Sequence, residues 1–152
     1  RKLALEQARR AMELVRAIGG KRIAAPPIGA TDRSDLDLMK AAERYRALLD
    51  LGAEMGVVPQ VEVWGFSKCL NRLGNAAQVA VESGHPDACV LADVYHLYKG
   101  GSGFGGLRVL SAASMPVFHV NDFPARIPRE QIKDADRVFP GDGDAPWKQI
   151  LG

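Results

Sequence analysis

The chain has 152 residues, 47% of them hydrophobic and 25% charged, which is typical of a globular domain with a sizeable core. The formal net charge is only +2 and the basic residues are dispersed, which argues against a nucleic-acid-binding surface. No apolar run approaches the roughly 20 residues that span a bilayer. We therefore expect one domain over residues 1–152, with neither nucleic acid nor membrane as a partner.

Helical and strand patterns alternate along the whole chain. In chain order they predict a helix over 3–18, a strand over 21–25, a helix over 35–56, a strand over 60–64, a helix over 71–83, a strand over 88–93, a short helix over 105–113, a strand over 117–120 and a short helix over 145–151. A long loop, 121–144, precedes the last helix. Alternation of this kind predicts an α/β fold with a parallel sheet covered on both faces.

About four strands are half of the eight that close a (β/α)8 TIM barrel, for which about 250 residues are typical. The chain also begins and ends within helical patterns and has no initiator Met. We therefore expect it to cover the later-middle portion of a larger barrel. An open, doubly wound sheet is the less favoured alternative, because no GxGxxG or GxxxxGK[ST] loop follows any predicted strand.

Polar side chains lie at or near the ends of three successive strands. They are Glu62 in Val-Glu-Val-Trp, Asp93 and His96 in Val-Leu-Ala-Asp-Val-Tyr-His, and His119 in Val-Phe-His-Val-Asn-Asp. Charged groups in such places cost free energy unless they are paired or bound to a metal. This mixed oxygen and nitrogen set predicts one divalent ion, Mn²⁺, Mg²⁺, Co²⁺ or Zn²⁺, at the mouth of a barrel. Ordinary roles remain open for each residue: an ion pair, a helix or turn cap, or core packing.

Three further residues lie close to these positions in the sequence. Trp64 could form a wall of a sugar-sized pocket, or belong to ordinary packing. Lys99 precedes a glycine-rich run, 100–106, whose backbone N–H groups could meet an anionic or hydroxylated ligand, although a flexible connector is equally compatible. Asp122 either accepts a hydrogen bond from the His119 imidazole, and so orients it towards a metal ion, or simply begins the long loop. Trp64 and Lys99 are therefore candidate substrate-binding residues.

With these motifs, the chain resembles the xylose isomerase-like TIM-barrel superfamily. The resemblance rests on Glu62, on Asp-x-x-His at Asp93, on Phe-His-Val-Asn-Asp around His119 and on Arg-Val-Phe-Pro-Gly-Asp-Gly over residues 137–143. It covers nearly the whole chain. The chain is most similar to the sugar phosphate isomerase/epimerase group, which includes inosose dehydratase-like and ketose 3-epimerase-like proteins. The resemblance implies an eight-stranded barrel with one divalent metal ion at its C-terminal mouth.

The resemblance also implies roles for individual residues. Glu62, Asp93 and His119 match three metal ligands of the family, and Glu62 is in addition the catalytic proton-transfer group. His96 matches a substrate-contacting His, and Arg126 lies near the position of a substrate-binding Arg. The fourth ligand of the family is a second Glu on the last barrel strand. Either the site lacks that carboxylate or the Glu lies beyond residue 152.

The activity implied by the resemblance is that of a metal-dependent sugar isomerase or epimerase. It would act on a ketose or sugar phosphate by proton transfer through an enediolate. A dehydratase of the inosose type and a non-catalytic sugar-binding barrel remain alternatives. An abasic-site endonuclease is the least favoured, because its multi-zinc cluster needs more ligands than three His allow. We also expect a cytoplasmic protein, since the two Cys lack CxxC spacing and are expected to be free thiols. The resemblance further implies a role in carbohydrate metabolism and is compatible with a homo-oligomer.

Overall fold

Four short parallel strands lie side by side in the order in which they occur in the sequence. The computed structural model describes residues 2–152. Its strands are β1 (Arg22–Ala25), β2 (Val58–Glu62), β3 (Val90–Asp93) and β4 (Phe118–His119). Helical segments separate successive strands, and every pairing is parallel. This arrangement is half of a (β/α)8 barrel, so the predicted partial TIM barrel is confirmed.

The helices agree with the predicted pattern except in the region that follows β3. They are α1 (Lys2–Ala17), α2 (Leu38–Met55), α3 (Leu73–Glu82), α4 (Val94–Gly100) and α5 (Trp147–Leu151). The prediction missed α4, and its short helix over 105–113 is a 3-10 turn over Phe104–Val109. Helix α4 begins directly at the end of β3 because the Asp93 side chain caps it, accepting the His96 backbone N–H. No helix within residues 2–152 is long and apolar enough to cross a membrane.

The main hydrophobic core lies between the sheet and helices α2 and α3. Alternate strand residues point to this side, among them Val61 and Ala92, and they pack with Leu49 and Val79 from the helices. All four are nearly inaccessible to solvent. Because side chains alternate along a strand, Glu62 and Asp93 must point to the opposite face, which lines the inside of a barrel.

A second hydrophobic cluster fixes the long loop after β4. Tyr95 of α4 packs there with Phe123 and Ile132 of the loop, and all three are buried. The Tyr98 ring stacks on Phe123 with a centroid separation of 3.8 Å. The loop is therefore held against the carboxyl ends of the strands by apolar contacts.

One buried hydroxyl links α2 to two strands. The Tyr45 hydroxyl lies 2.9 Å from the carbonyl oxygen of Pro59 and 3.0 Å from that of Cys89, and it accepts the Cys89 N–H at 3.2 Å. We predict that Tyr45→Phe lowers the free energy of unfolding by about 1–3 kcal/mol, because buried backbone groups lose their partner. Urea denaturation measures the change. Tyr98→Phe is the control, since it removes a single bond to the Ile127 carbonyl. Equal losses in both variants would contradict this role.

Candidate active site

Three of the predicted site residues end consecutive strands at the same edge of the sheet. Glu62 ends β2, Asp93 ends β3 and His119 ends β4, with Asp93 and His119 directly paired in register. The Nδ1 atom of His119 lies 3.7 Å from Oδ2 of Asp93. Glu62 is close enough to Asp93 for the second carboxylate to raise its pKa. The parallel topology thus places all three at the carboxyl edge of the sheet, where barrel enzymes carry their sites.

The Glu62 carboxyl group is buried and makes neither a hydrogen bond nor an ion pair within residues 2–152. Burial and, to a smaller extent, the charge of Asp93 raise its pKa to about 7, although Arg137 partly opposes the shift. A buried carboxyl group without a protein partner is uncommon in a core. With such a pKa, Glu62 can both accept and release a proton near neutral pH.

Asp93, in contrast, is fully engaged by neighbouring donors. Its Oδ1 accepts the His96 backbone N–H at 2.9 Å. Its Oδ2 accepts Nδ2 of Asn121 at 2.8 Å and Nη1 of Arg137 at 3.0 Å. These charge-assisted bonds compensate for the desolvation of a side chain that is only 3% exposed.

The strand-end side chains are suitable ligands for a divalent ion by their chemistry, but their arrangement fits one less well. Two carboxylates and an imidazole at adjacent strand ends are ligands that Zn²⁺, Mn²⁺ or Mg²⁺ accepts. However, no three His, Cys, Asp or Glu side chains in the described part of the chain lie close enough to hold one ion. His119 is half-exposed, and a guanidinium group contacts Asp93. The residues present therefore fit the ion by chemistry and by strand position, without forming a closed ligand sphere.

His96 is buried on α4, and each of its ring nitrogens faces a donor. The Gly65 backbone N–H lies 3.2 Å from Nδ1 and Nη2 of Arg137 lies 3.2 Å from Nε2, and a neutral ring can accept from only one of them. Burial lowers its pKa to about 4, although Asp93 opposes the shift, and the ring is neutral at physiological pH. The Trp64 ring lies beside it, with a centroid separation of 4.4 Å. The structure thus brings the His96 and Trp64 rings into contact.

Arg137 is the main site residue that the sequence analysis did not identify. Besides its bond to Asp93, it donates from Nε and Nη2 to Oδ1 of Asp134 at 3.1 and 2.8 Å. Its guanidinium carbon lies 4.2 Å from the centroid of the Tyr95 ring. The Nη2 atom also faces Nε2 of His96 at 3.2 Å. The available signal was the segment 137–143, which starts with this Arg, but nothing in that segment indicates which strand it contacts.

Two other candidate substrate-binding residues lie outside this cluster. The Nζ atom of Lys99 donates to the carbonyl oxygens of Glu130 and Ile132 at 3.1 and 3.0 Å, which fastens the long loop. Arg126 is exposed on that loop and makes no hydrogen bond or ion pair with the strand-end residues that the structure describes. Of the four candidates, His96 and Trp64 contact each other, and His96 is also bonded to Asp93 through its backbone N–H.

Of the two roles that the sequence left open for Asp122, the structure favours the one in the loop: within residues 2–152 its carboxylate makes no hydrogen bond to the His119 imidazole. It is completely buried, and each of its oxygens accepts two hydrogen bonds of 2.8 to 2.9 Å. Burial acts to raise its pKa, but these four bonds outweigh it, and the pKa is lowered. The donors are the backbone N–H groups of Phe123, Gly141 and Ala145 and the indole Nε1 of Trp147.

The glycine-rich run 100–106 packs against the start of α3. The side chain of Asn71 donates to the Gly100 carbonyl at 3.1 Å, and the Ser102 hydroxyl accepts the Leu73 N–H at 2.9 Å. A Cβ atom at Gly100 would collide with the Asn71 carbonyl oxygen, so a close backbone approach requires glycine there. The run therefore serves packing between two elements, and Ser102 caps a helix whose own N-cap residue provides no side-chain bond.

We predict that Asp122→Asn lowers the free energy of unfolding by about 2–4 kcal/mol at neutral pH, because an amide NH₂ would face buried donors. The folded-state pKa lies below the ordinary value of 3.8, so the stabilisation is present above that pH and is lost as the pH falls through the folded-state pKa. Urea denaturation along a pH series should show that the difference in free energy of unfolding between wild type and variant becomes smaller in acid. Asp142→Asn, an exposed Asp on the same loop, is the control. A difference in free energy of unfolding that does not change with pH would contradict a stabilising role of the ionised Asp122 carboxylate.

Comparison with known proteins identifies the family. A family model described as xylose isomerase-like TIM barrel matches residues 1–152. No curated protein matches the sequence significantly. The match covers the whole chain, which therefore belongs to the xylose isomerase-like TIM barrel family, as the sequence analysis predicted.

Solved structures share the fold at low sequence identity. A structure of the IolI protein with a bound zinc atom has a TM-score of 0.83 and 20% identity, over 95% of this chain and 52% of that one. The probable 3-DHS dehydratase AsbF of Bacillus anthracis, involved in petrobactin synthesis, has a TM-score of 0.78 and 14% identity, over 99% and 59%. An L-ribulose 3-epimerase has a TM-score of 0.72 and 17% identity, over 96% and 48%. The chain thus spans about half the length of these structures.

Proposed function

From its membership of the xylose isomerase-like TIM barrel family, we propose that this protein carries the site of a metal-dependent sugar isomerase or epimerase acting on a ketose or sugar phosphate. The observation that supports this most directly is the state of Glu62. It is a buried carboxyl group with a pKa of about 7, without a bonded partner in the described residues, beside Asp93 at the carboxyl edge of the sheet. The similarity to an L-ribulose 3-epimerase is consistent with this reaction class.

In this proposal Glu62 moves the proton. Isomerisation and epimerisation of a ketose both remove a proton from a carbon next to the carbonyl and return one to the resulting enediolate. A carboxylate within reach of that carbon serves both steps, because it first accepts the proton and then returns it. Because Glu62 points to the inner face of the sheet, a sugar in the barrel mouth would lie within its reach.

Glu62, Asp93 and His119 would hold the divalent ion. When bound, the ion polarises the substrate carbonyl and so makes the neighbouring C–H more acidic. The zinc atom bound in the structure of the IolI protein, which shares this fold, supports a divalent ion in this proposal. A cation would also neutralise the two carboxylates, whose mutual repulsion contributes to the raised pKa of Glu62.

His96 and Trp64 would bind and orient the sugar. A neutral His96 ring can accept from the Gly65 N–H or from Nη2 of Arg137, and in the tautomer that accepts from Gly65 the Nε2–H and Nη2 are both donors. A substrate oxygen placed between them would accept from both. Trp64 is half-buried beside His96, so its ring could pack against the C–H face of a sugar.

A dehydratase is the second candidate, and the structural similarity to the probable 3-DHS dehydratase AsbF favours it. The first step would be the same, because Glu62 would again remove a proton next to a carbonyl. The product would differ, since a hydroxyl on the following carbon would leave as water and a conjugated double bond would remain.

We predict that Glu62→Gln slows proton exchange at the sugar carbon next to the carbonyl by about 10²- to 10⁴-fold, because the amide cannot accept the proton. The purified protein with Mn²⁺ is incubated with ketohexoses, ketopentoses and their phosphates in D₂O, and proton NMR follows deuterium uptake. The control is Glu82→Gln, the same change at an exposed position at the end of α3.

Each result of the exchange experiment has a distinct meaning. Exchange that is equally fast in Glu62→Gln and in wild type would contradict the role of Glu62. Ultraviolet absorption from a conjugated product would instead identify a dehydratase. Saturable sugar binding without exchange or product would show a non-catalytic sugar-binding barrel.

We also predict that the purified protein binds one divalent cation per chain, and that His119→Ala weakens this binding by about tenfold to 100-fold. Isothermal titration calorimetry with Mn²⁺ or Zn²⁺ measures the affinity. His85→Ala is the control because His85 lies near Asp50 and Asp87, away from the strand ends. Equal affinity in the His119 variant and in wild type would exclude His119 as a ligand.

A further inference from the structure

The Arg137 side chain contacts the carboxylate that the proposed metal site requires. Its Nη1 donates to Oδ2 of Asp93 at 3.0 Å. The same Oδ2 lies 3.7 Å from Nδ1 of His119, the next proposed ligand. The other oxygen, Oδ1, is bonded to the start of helix α4. The guanidinium is therefore bound to the one Asp93 oxygen that faces the other proposed ligand.

The charge of Arg137 acts where a metal ion would act. Asp93 and Glu62 are two buried carboxyl groups, and Arg137 is the cation that electrostatically stabilises the charged form of both. The Arg137 side chain is itself largely buried, with 27% exposure, so solvent screens this interaction only in part. A divalent ion on Oδ2 would supply the same compensation and would repel the guanidinium at that distance.

Arg137 also has a second anchor that does not involve the proposed site. Asp134 accepts two hydrogen bonds from it, and the Tyr95 ring packs against its guanidinium. One hydrogen bond joins Arg137 to Asp93, against two to Asp134, and its Nη2 atom also faces Nε2 of His96 at 3.2 Å. The guanidinium can therefore leave Asp93 and remain paired with Asp134.

We propose that Arg137 is a cation placeholder, which neutralises Asp93 until a divalent ion binds and which must leave Oδ2 when the ion arrives. The inference rests on the proposed function, since it takes Asp93 as a metal ligand. It assigns to Arg137 a role in metal affinity, because part of the binding free energy of the ion is spent on breaking the Arg137–Asp93 bond.

The first test compares Mn²⁺ affinity by isothermal titration calorimetry in wild type, Arg137→Met and Arg126→Met. Methionine keeps apolar volume over Tyr95 and removes the competing charge. We expect Arg137→Met to bind Mn²⁺ about tenfold or more tightly, the scale of one hydrogen bond to a charged group. Arg126→Met removes the same charge from an exposed position on the same loop, and its affinity should equal that of wild type.

The outcomes separate this inference from the proposed function. Measurable Mn²⁺ binding that is unchanged or weaker in Arg137→Met would overturn the placeholder and leave the metal site intact. If both variants bind Mn²⁺ more tightly and to the same degree, the change in affinity comes from the net charge of the protein, and the placeholder is also overturned. Absence of Mn²⁺ binding in all three proteins would overturn the proposed metal site and the placeholder with it.

A second measurement needs no variant and so does not depend on how Arg137→Met folds. Hydrogen–deuterium exchange of wild type is followed for the segment 133–144 with and without Mn²⁺. The placeholder predicts faster exchange in this segment when Mn²⁺ is added, because the segment loses its bond to Asp93, while the strand ends exchange more slowly. Slower or unchanged exchange throughout 133–144, with Mn²⁺ bound, would overturn the proposal.

Discussion

Two buried carboxyl groups at the ends of adjacent parallel strands, Glu62 and Asp93, impose the main physical constraint on this structure. Taking a carboxylate out of water costs several kcal/mol unless hydrogen bonds or opposite charge compensate it. The chain meets this cost in two ways. Asp93 accepts hydrogen bonds from the first turn of α4, from Asn121 and from Arg137. Glu62 accepts no hydrogen bond from the described residues, and its pKa is raised to about 7. The resulting asymmetry supports the proposed assignment of proton transfer to Glu62.

The long loop after β4 provides Arg137, which compensates part of the cost of burying Asp93. Asp122 gathers backbone N–H groups from both ends of the loop, and Lys99 holds two carbonyl oxygens near its middle. Tyr95 packs beneath it and carries the guanidinium of Arg137 on its ring. These contacts place Arg137 against a strand end that lies 44 residues earlier in the sequence. Through the position of Arg137, the contacts of Asp122, Lys99 and Tyr95 thereby affect the charge at the proposed site.

The sequence was sufficient for the sheet and for the family, and it was insufficient for contacts made by the loop. Short apolar runs predict parallel strands, and parallel strands bring Glu62, Asp93 and His119 to one edge, as observed. Helix α4 was missed because it is short and largely buried, so it lacks the amphipathic pattern that identifies a helix. Arg137 and the partners of Asp122 depend on tertiary packing across a loop, which no local pattern encodes. The metal and substrate roles of the strand-end residues remain predictions.

We propose that the carboxyl edge of the sheet binds a divalent cation. Until the cation binds, Arg137 occupies its position on Asp93. Crystals of the protein grown with Mn²⁺ test it most directly, through an anomalous difference map. The account predicts one strong peak roughly 2.0–2.3 Å from oxygens of Glu62 and Asp93 and from a ring nitrogen of His119, with Arg137 turned towards Asp134. A well-ordered site without such a peak, with Arg137 still bonded to Asp93 at saturating Mn²⁺, would contradict it.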